Sequence, residues 1–87
     1  MADVSKIKFT KHALEKFDFL KKYSFEISRE QVLNAILNPN RLDKKGNQFF
    51  AIKIINAKHC LRVVYEKRKG FLVVIIFYPV RRNRYGL

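Results

Sequence analysis

Three groups of residues have the types and spacing to handle a phosphodiester. The first is His12, two residues after Thr10, where a helix is expected to begin. Free N–H groups and the macrodipole make a helix start attractive to phosphate. An imidazole beside that phosphate can give or take a proton near neutral pH. Lys11 and Lys16 lie in the same stretch, Lys16 one turn beyond His12 on the same side. The competing reading is a solvated surface histidine in a basic protein. The second group centres on Arg62, in the strand-like run Cys60-Leu-Arg-Val-Val-Tyr-Glu66. Alternation puts Leu61, Val63 and Tyr65 on one face and Arg62, Val64 and Glu66 on the other. If the first set meets helices, Arg62 stands on an open face with a planar fork of donors for a phosphate. The alternative is an Arg62–Glu66 ion pair on a solvated face. The third group is Tyr78, Arg81, Arg82, Arg84 and Tyr85. Cations serve an RNA backbone and rings serve unstacked bases. A plain basic tail is the alternative there.

Other chemistries lack their residues. The chain has no glycine-rich phosphate loop, no paired Cys or His at metal spacing and no G-x-S-x-G. Its seven acidic residues are scattered, which argues against a two-carboxylate hydrolase or a magnesium-dependent nuclease. No metal site or cofactor is expected. His59 and Cys60 are adjacent in a strand and point to opposite faces, so they are read as structural.

The elements that must position these groups are legible. Lys6–Phe9 alternates polar and apolar and reads as a short strand. Thr10 then caps a helix whose stripe is Ala13, Leu14, Phe17 and Leu20, ending near Lys22. Ser28 and Gln31 form a capping box, with Ile27 and Val32 placed as a hydrophobic staple. Val32, Leu33, Ile36 and Leu37 give that second helix its buried face, and Asn38-Pro39 ends it. Strands follow over Gln48–Ile55, Cys60–Glu66 and Phe71–Tyr78, with turns at 56–58 and 67–70. Pro79 is expected to stop the last strand, having no N–H to donate. The order is β-α-α-β-β-β. It predicts an α+β fold with a helical hairpin on one face of a small, mainly antiparallel sheet.

Composition sets the frame. Eighty-seven residues make one domain, with 80–87 as a short basic tail. Nearly half the chain is hydrophobic (48%), too apolar for a disordered basic arm. Nineteen Lys and Arg against seven Asp and Glu give +12, so an anionic partner is expected: nucleic acid, an acidic protein or an anionic membrane. The single cysteine, Cys60, excludes an internal disulfide and suits the cytoplasm. Met1–Lys6 has no apolar signal-peptide core, and Phe71–Val80 is too short to span a bilayer as a helix.

The element order and the basic, aromatic C-terminal run resemble the RelE/ParE toxin superfamily. Leu61-Arg-Val-Val-Tyr65 is similar to that family's third-strand motif, which carries an arginine. Val80-Arg-Arg-Asn-Arg-Tyr85 is similar to its basic motif after the last strand. Phe9-Thr-Lys-His-Ala13, Ile27-Ser-Arg-Glu-Gln-Val32 and Asn38-Pro39 resemble a compact sister family with an early helix histidine, grouped with RelE and BrnT toxins. The tail arginines and Tyr85 are spaced more tightly than in RelE, and no helix follows the last strand. The resemblance implies a metal-independent endoribonuclease, in which the 2′-OH attacks the adjacent phosphate. Ribosome-bound mRNA is among its implied substrates. By position it implies His12, Arg62, Arg82 and Tyr85 as catalytic, with Lys11, Lys16, Tyr78, Arg81 and Arg84 binding RNA. It also implies a cognate antitoxin protein as partner. The alternatives are a non-enzymatic RNA-binding module, a ParE-like inhibitor and an accessory protein docking an acidic partner.

Overall fold

The computed structural model describes residues 6–87; the expectation about a signal peptide falls largely outside them. The chain is α+β. A short strand, β1 (Ile7–Phe9), leads through Thr10 into α1 (Lys11–Lys21), and α2 spans Arg29–Leu37. Four strands follow: β2 (Arg41–Lys45), β3 (Gln48–Ile54), β4 (His59–Arg68) and β5 (Phe71–Arg81). A 3-10 turn over Arg82–Tyr85 closes the chain. The five strands form one mixed sheet in the order β1-β5-β4-β3-β2, antiparallel except for β1 against β5.

Local chemistry fixes the helix starts. The Thr10 hydroxyl accepts from the Ala13 N–H at 3.1 Å and donates to the Ile75 carbonyl at 3.1 Å, so the same cap fastens α1 to β5. Ile75 lies at the register shift opposite Val64/Tyr65, a β-bulge whose carbonyl can turn toward the cap. Ser28 and Gln31 form the reciprocal box: the Ser28 N–H donates to Gln31 Oε1 at 2.8 Å, and the Gln31 N–H to Ser28 Oγ at 3.1 Å. α1 packs on β5 and β1, and α2 on β4 and β3. Between them lies a core of Ala13, Leu20, Val32, Ala35, Leu61, Val63, Tyr65 and Phe77.

Two sequence expectations are corrected. Arg41–Lys45 is a strand, although its residues are all exposed and mostly charged. Such a segment pairs on one side only, and its charges guard the edge against another chain. Gly46, at φ +61°, makes the two-residue turn that folds it onto β3. Pro79 does not stop β5, which runs on to Arg81 with Pro79 opposite Leu61. β1 pairs only with Leu72–Val74, so beyond that point β5 has a free outer edge. A proline nitrogen turned to that edge forfeits no ladder bond.

Candidate functional site

Leu61, Val63 and Tyr65 enter the core beneath the helices, so Arg62 points to the opposite face of the sheet. The register sets it in a row with Arg41, Ile52 and Tyr78 from the neighbouring strands. Its bed is apolar: Ile52, Cys60 and Val64 are all buried. The guanidinium carbon lies 5.0 Å from the centre of the Phe50 ring and 5.7 Å from that of Tyr78. One terminal nitrogen donates to the Tyr78 hydroxyl at 2.7 Å. The Nε–H is buried without a partner among the described residues. A guanidinium has five N–H donors, and Tyr78 is the one hydrogen-bond partner it has among those residues.

The Arg62–Glu66 pair allowed by sequence does not form. Glu66 accepts from Gln48 at 3.1 Å and pairs with Arg68 at 2.6 Å. Those two hydrogen bonds, Gln48 first and Arg68 next, hold its carboxyl below the usual carboxylate range. The other ion pair among the described residues is Arg41–Asp43, at 3.1 Å. Asp43 and Glu66 lie opposite Phe50 and Gln48, in rows displaced from Arg62 toward the β4–β5 hairpin. Arg62 therefore stands half-buried with no carboxylate partner among the described residues. That state suits an arginine that receives an anion.

Tyr78, Arg81 and Arg84 come together. They line a shallow recess at the end of β5 with Phe25, His59, Pro79 and Val80. Alternation puts Arg81 and His59 on the helix side, with Leu61 and Phe77, and Tyr78 on the side of Arg62, so the recess wraps the strand end. His59, set aside in the sequence, forms part of it: its ring meets Phe25 edge-on at 5.2 Å, and its Nδ1 lies 3.3 Å from Asn56 Oδ1. Phe50 was also missed. Its signal was the β3–β4 register, which puts it opposite Val64, one row from Arg62.

Arg82 and Tyr85 go elsewhere. The Arg82 side chain donates to the main-chain oxygens of Leu87 at 3.2 Å and of Asn56 and Ala57 at 3.4 Å. Its own N–H donates to the Lys58 carbonyl. It thus clips the end of the chain to the β3–β4 turn. Its charge also reaches Cys60, whose thiol is pushed up by burial and pulled back in part by Arg82. The Tyr85 ring lies 5.8 Å from the guanidinium of Arg41, a residue of the Arg62 row. The last residues are therefore a folded-back cap and not a free tail.

The helix layer carries His12, exposed on α1 beside the fully buried Ala13. It lines a shallow recess with Glu15, Lys16 and Phe19; the Lys16 ammonium lies 4.6 Å from the Phe19 ring centre. Lys11 is exposed on the same helix. Arg62 is on the far side of the sheet from this helix, so the structure does not bring His12, Lys11 or Lys16 to it. The three sources of one anion site are not gathered on a single surface. No group of three or more His, Cys, Asp or Glu among the described residues could hold a metal ion. No helix among them is long and apolar enough to cross a membrane. No protein-family model, curated protein or solved structure matches the chain.

Proposed function

We propose that this chain is a metal-independent endoribonuclease of RelE-like toxin type, acting in the cytoplasm through the helix-free face of its sheet. Arg62 carries the reading: an arginine with no carboxylate partner among the described residues, set in an apolar bed and bonded to a phenol. A phosphate oxygen can accept from the terminal N–H groups that Tyr78 leaves free, and the low-dielectric bed strengthens that contact. As the 2′-OH attacks, charge grows on the nonbridging oxygens of the phosphate, and a fixed cation stabilises it. Arg84, in the turn after β5, and Arg81, on the helix side of the strand end, add cations for phosphates that run past the end of the sheet. Ribosome-bound mRNA is a candidate substrate. In a toxin pair, the antitoxin would be a small acidic protein covering this face.

The test is incubation of the purified protein with RNA in EDTA, free and on ribosomes. The products expected are a 2′,3′-cyclic phosphate and a 5′-OH, with loss of cleavage in Arg62→Ala. Intact RNA with the wild-type protein, together with salt-dependent binding, would establish the second reading, a non-enzymatic RNA-binding module. One observation favours that alternative: Arg82 is spent on main-chain oxygens and His12 lies on the helix layer, so neither is gathered at Arg62.

A further inference from the structure

With His12 on the helix layer, the side chain that the structure bonds to Arg62 is Tyr78. We propose that Tyr78 is the general acid of this site, protonating the 5′-oxygen that leaves when the RNA backbone is cut. The inference rests on the ribonuclease reading above.

The geometry assigns the direction of transfer. Arg62 donates to the Tyr78 oxygen at 2.7 Å, so that oxygen is the acceptor in their bond. The phenol keeps its own proton for a third group. Tyr78 is half-buried and stands on the same face of the sheet as Arg62. A phosphate held by Arg62 therefore has the phenol next to it. The guanidinium also stands ready to stabilise the phenolate left after transfer. Alternation in β5 and pairing to β4 fix the phenol opposite Arg62, so its position depends on the sheet and not on a loop.

The step balances. The 2′-oxygen forms a bond to phosphorus and releases its proton to solvent. The bond from phosphorus to the 5′-oxygen breaks, and that oxygen takes the Tyr78 proton. The products are a 2′,3′-cyclic phosphate and a 5′-OH, and water returns a proton to the phenolate held by Arg62.

The experiment compares two RNA oligonucleotides that differ at the cleaved linkage. One has the natural 5′-oxygen, the other a 5′-bridging sulfur that departs as a thiolate without needing a proton. Tyr78→Phe should slow cleavage of the oxygen substrate by about 10²–10⁴-fold, the usual contribution of a positioned acid. The sulfur substrate should stay within a few-fold of wild type. Arg62→Ala should slow both, because transition-state charge develops in both. O-Methyltyrosine at position 78 retains the oxygen that accepts from Arg62 but has no proton. It should reproduce the Phe defect, and a thermal melt of each variant checks the fold. Full activity of the O-methyltyrosine protein would overturn the proposal by reducing Tyr78 to an anchor for Arg62. Equal losses on the two substrates in melted-normal Tyr78→Phe would overturn it as well. A wild-type protein that cleaves neither substrate removes the ribonuclease reading itself, and the inference with it.

Discussion

Arg62→Met separates a functional arginine from a structural one. The substitution removes one charge-assisted hydrogen bond to Tyr78, of about 1.5–3 kcal/mol net. It also removes the cation–ring contact with Phe50, about 0.5–1 kcal/mol at a half-exposed site. Against this, it deletes a buried Nε–H with no partner among the described residues, a penalty of about 1–3 kcal/mol. Methionine fills similar space over Ile52, Cys60 and Val64, which are already apolar and buried. The two sides nearly cancel and leave a net loss of about 1 kcal/mol. For a domain of this size that is about 4–8 °C in melting temperature. Binding should respond differently. Removing one phosphate contact should lower the slope of log affinity against log salt by about 0.7 on single-stranded RNA. The assays are chemical denaturation and an RNA titration at several salt concentrations. A stability loss above about 3 kcal/mol with an unchanged salt slope would refute the reasoning, because Arg62 would then belong to the scaffold.

Other predictions follow from the same contacts. Arg82→Ala should be more destabilising than Arg62→Met, by about 1–3 kcal/mol in all, since it releases three main-chain oxygens and the folded-back end; denaturant midpoints at equal slope measure this. Cys60, fully buried and with its thiol pushed up, should react with a thiol reagent at the rate of protein opening, and Arg82→Ala should speed that reaction. The Glu66 carboxyl is held below the ordinary glutamate value by its bonds to Gln48 and Arg68, so its ionised form is favoured by folding. Its contribution to stability is present above the unfolded pKa and is lost as pH falls through the folded one. Glu66→Gln should therefore flatten the acid side of the stability curve below about pH 4.5 and leave the neutral region little changed, as read from urea midpoints across pH.

What could be read in advance was what local chemistry decides. Ser28 and Gln31 satisfy each other's free N–H groups within four residues, so no distant partner is needed. The alternation of Leu61, Val63 and Tyr65 fixes the side on which Arg62 emerges, because the strand period is two. Arg41–Lys45 hid its strand because edge positions tolerate charge and lack a hydrophobic pattern; the Gly46-Asn47 pair was the available signal. His12 fell on the wrong side because a helix start carries no information about which face of a sheet the helix will cover. The tail was misjudged for a similar reason. Its return path depends on Arg82 meeting the carbonyls of Asn56 and Ala57, residues 26 and 25 positions away, which no local pattern encodes.

The distribution of charge matters more for function than its sum. The net +12 is spread over the whole chain and by itself selects only an anionic partner. Glu15, Asp18, Glu26 and Glu30 belong to the helices and the link between them. On the sheet, Asp43 and Glu66 are each held by an arginine two residues away, Arg41 and Arg68. These acids quench charge at the β2 edge and near the β4–β5 hairpin. The opposite end, with Arg62 and Tyr78 on one face and the recess of Arg81 and Arg84 around the strand end, has no described acidic residue in its row or its lining. An anion approaching the sheet therefore meets its least opposed cations at that end, and the rings of Phe50 and Tyr78 stand beside the most buried of them. A diffuse basic coat would lose affinity in small equal steps as its cations were removed one at a time. A sorted one loses it unevenly: Arg62, Arg81 and Arg84 should dominate RNA binding, while Arg41 and Arg68, already paired with carboxylates, should contribute little.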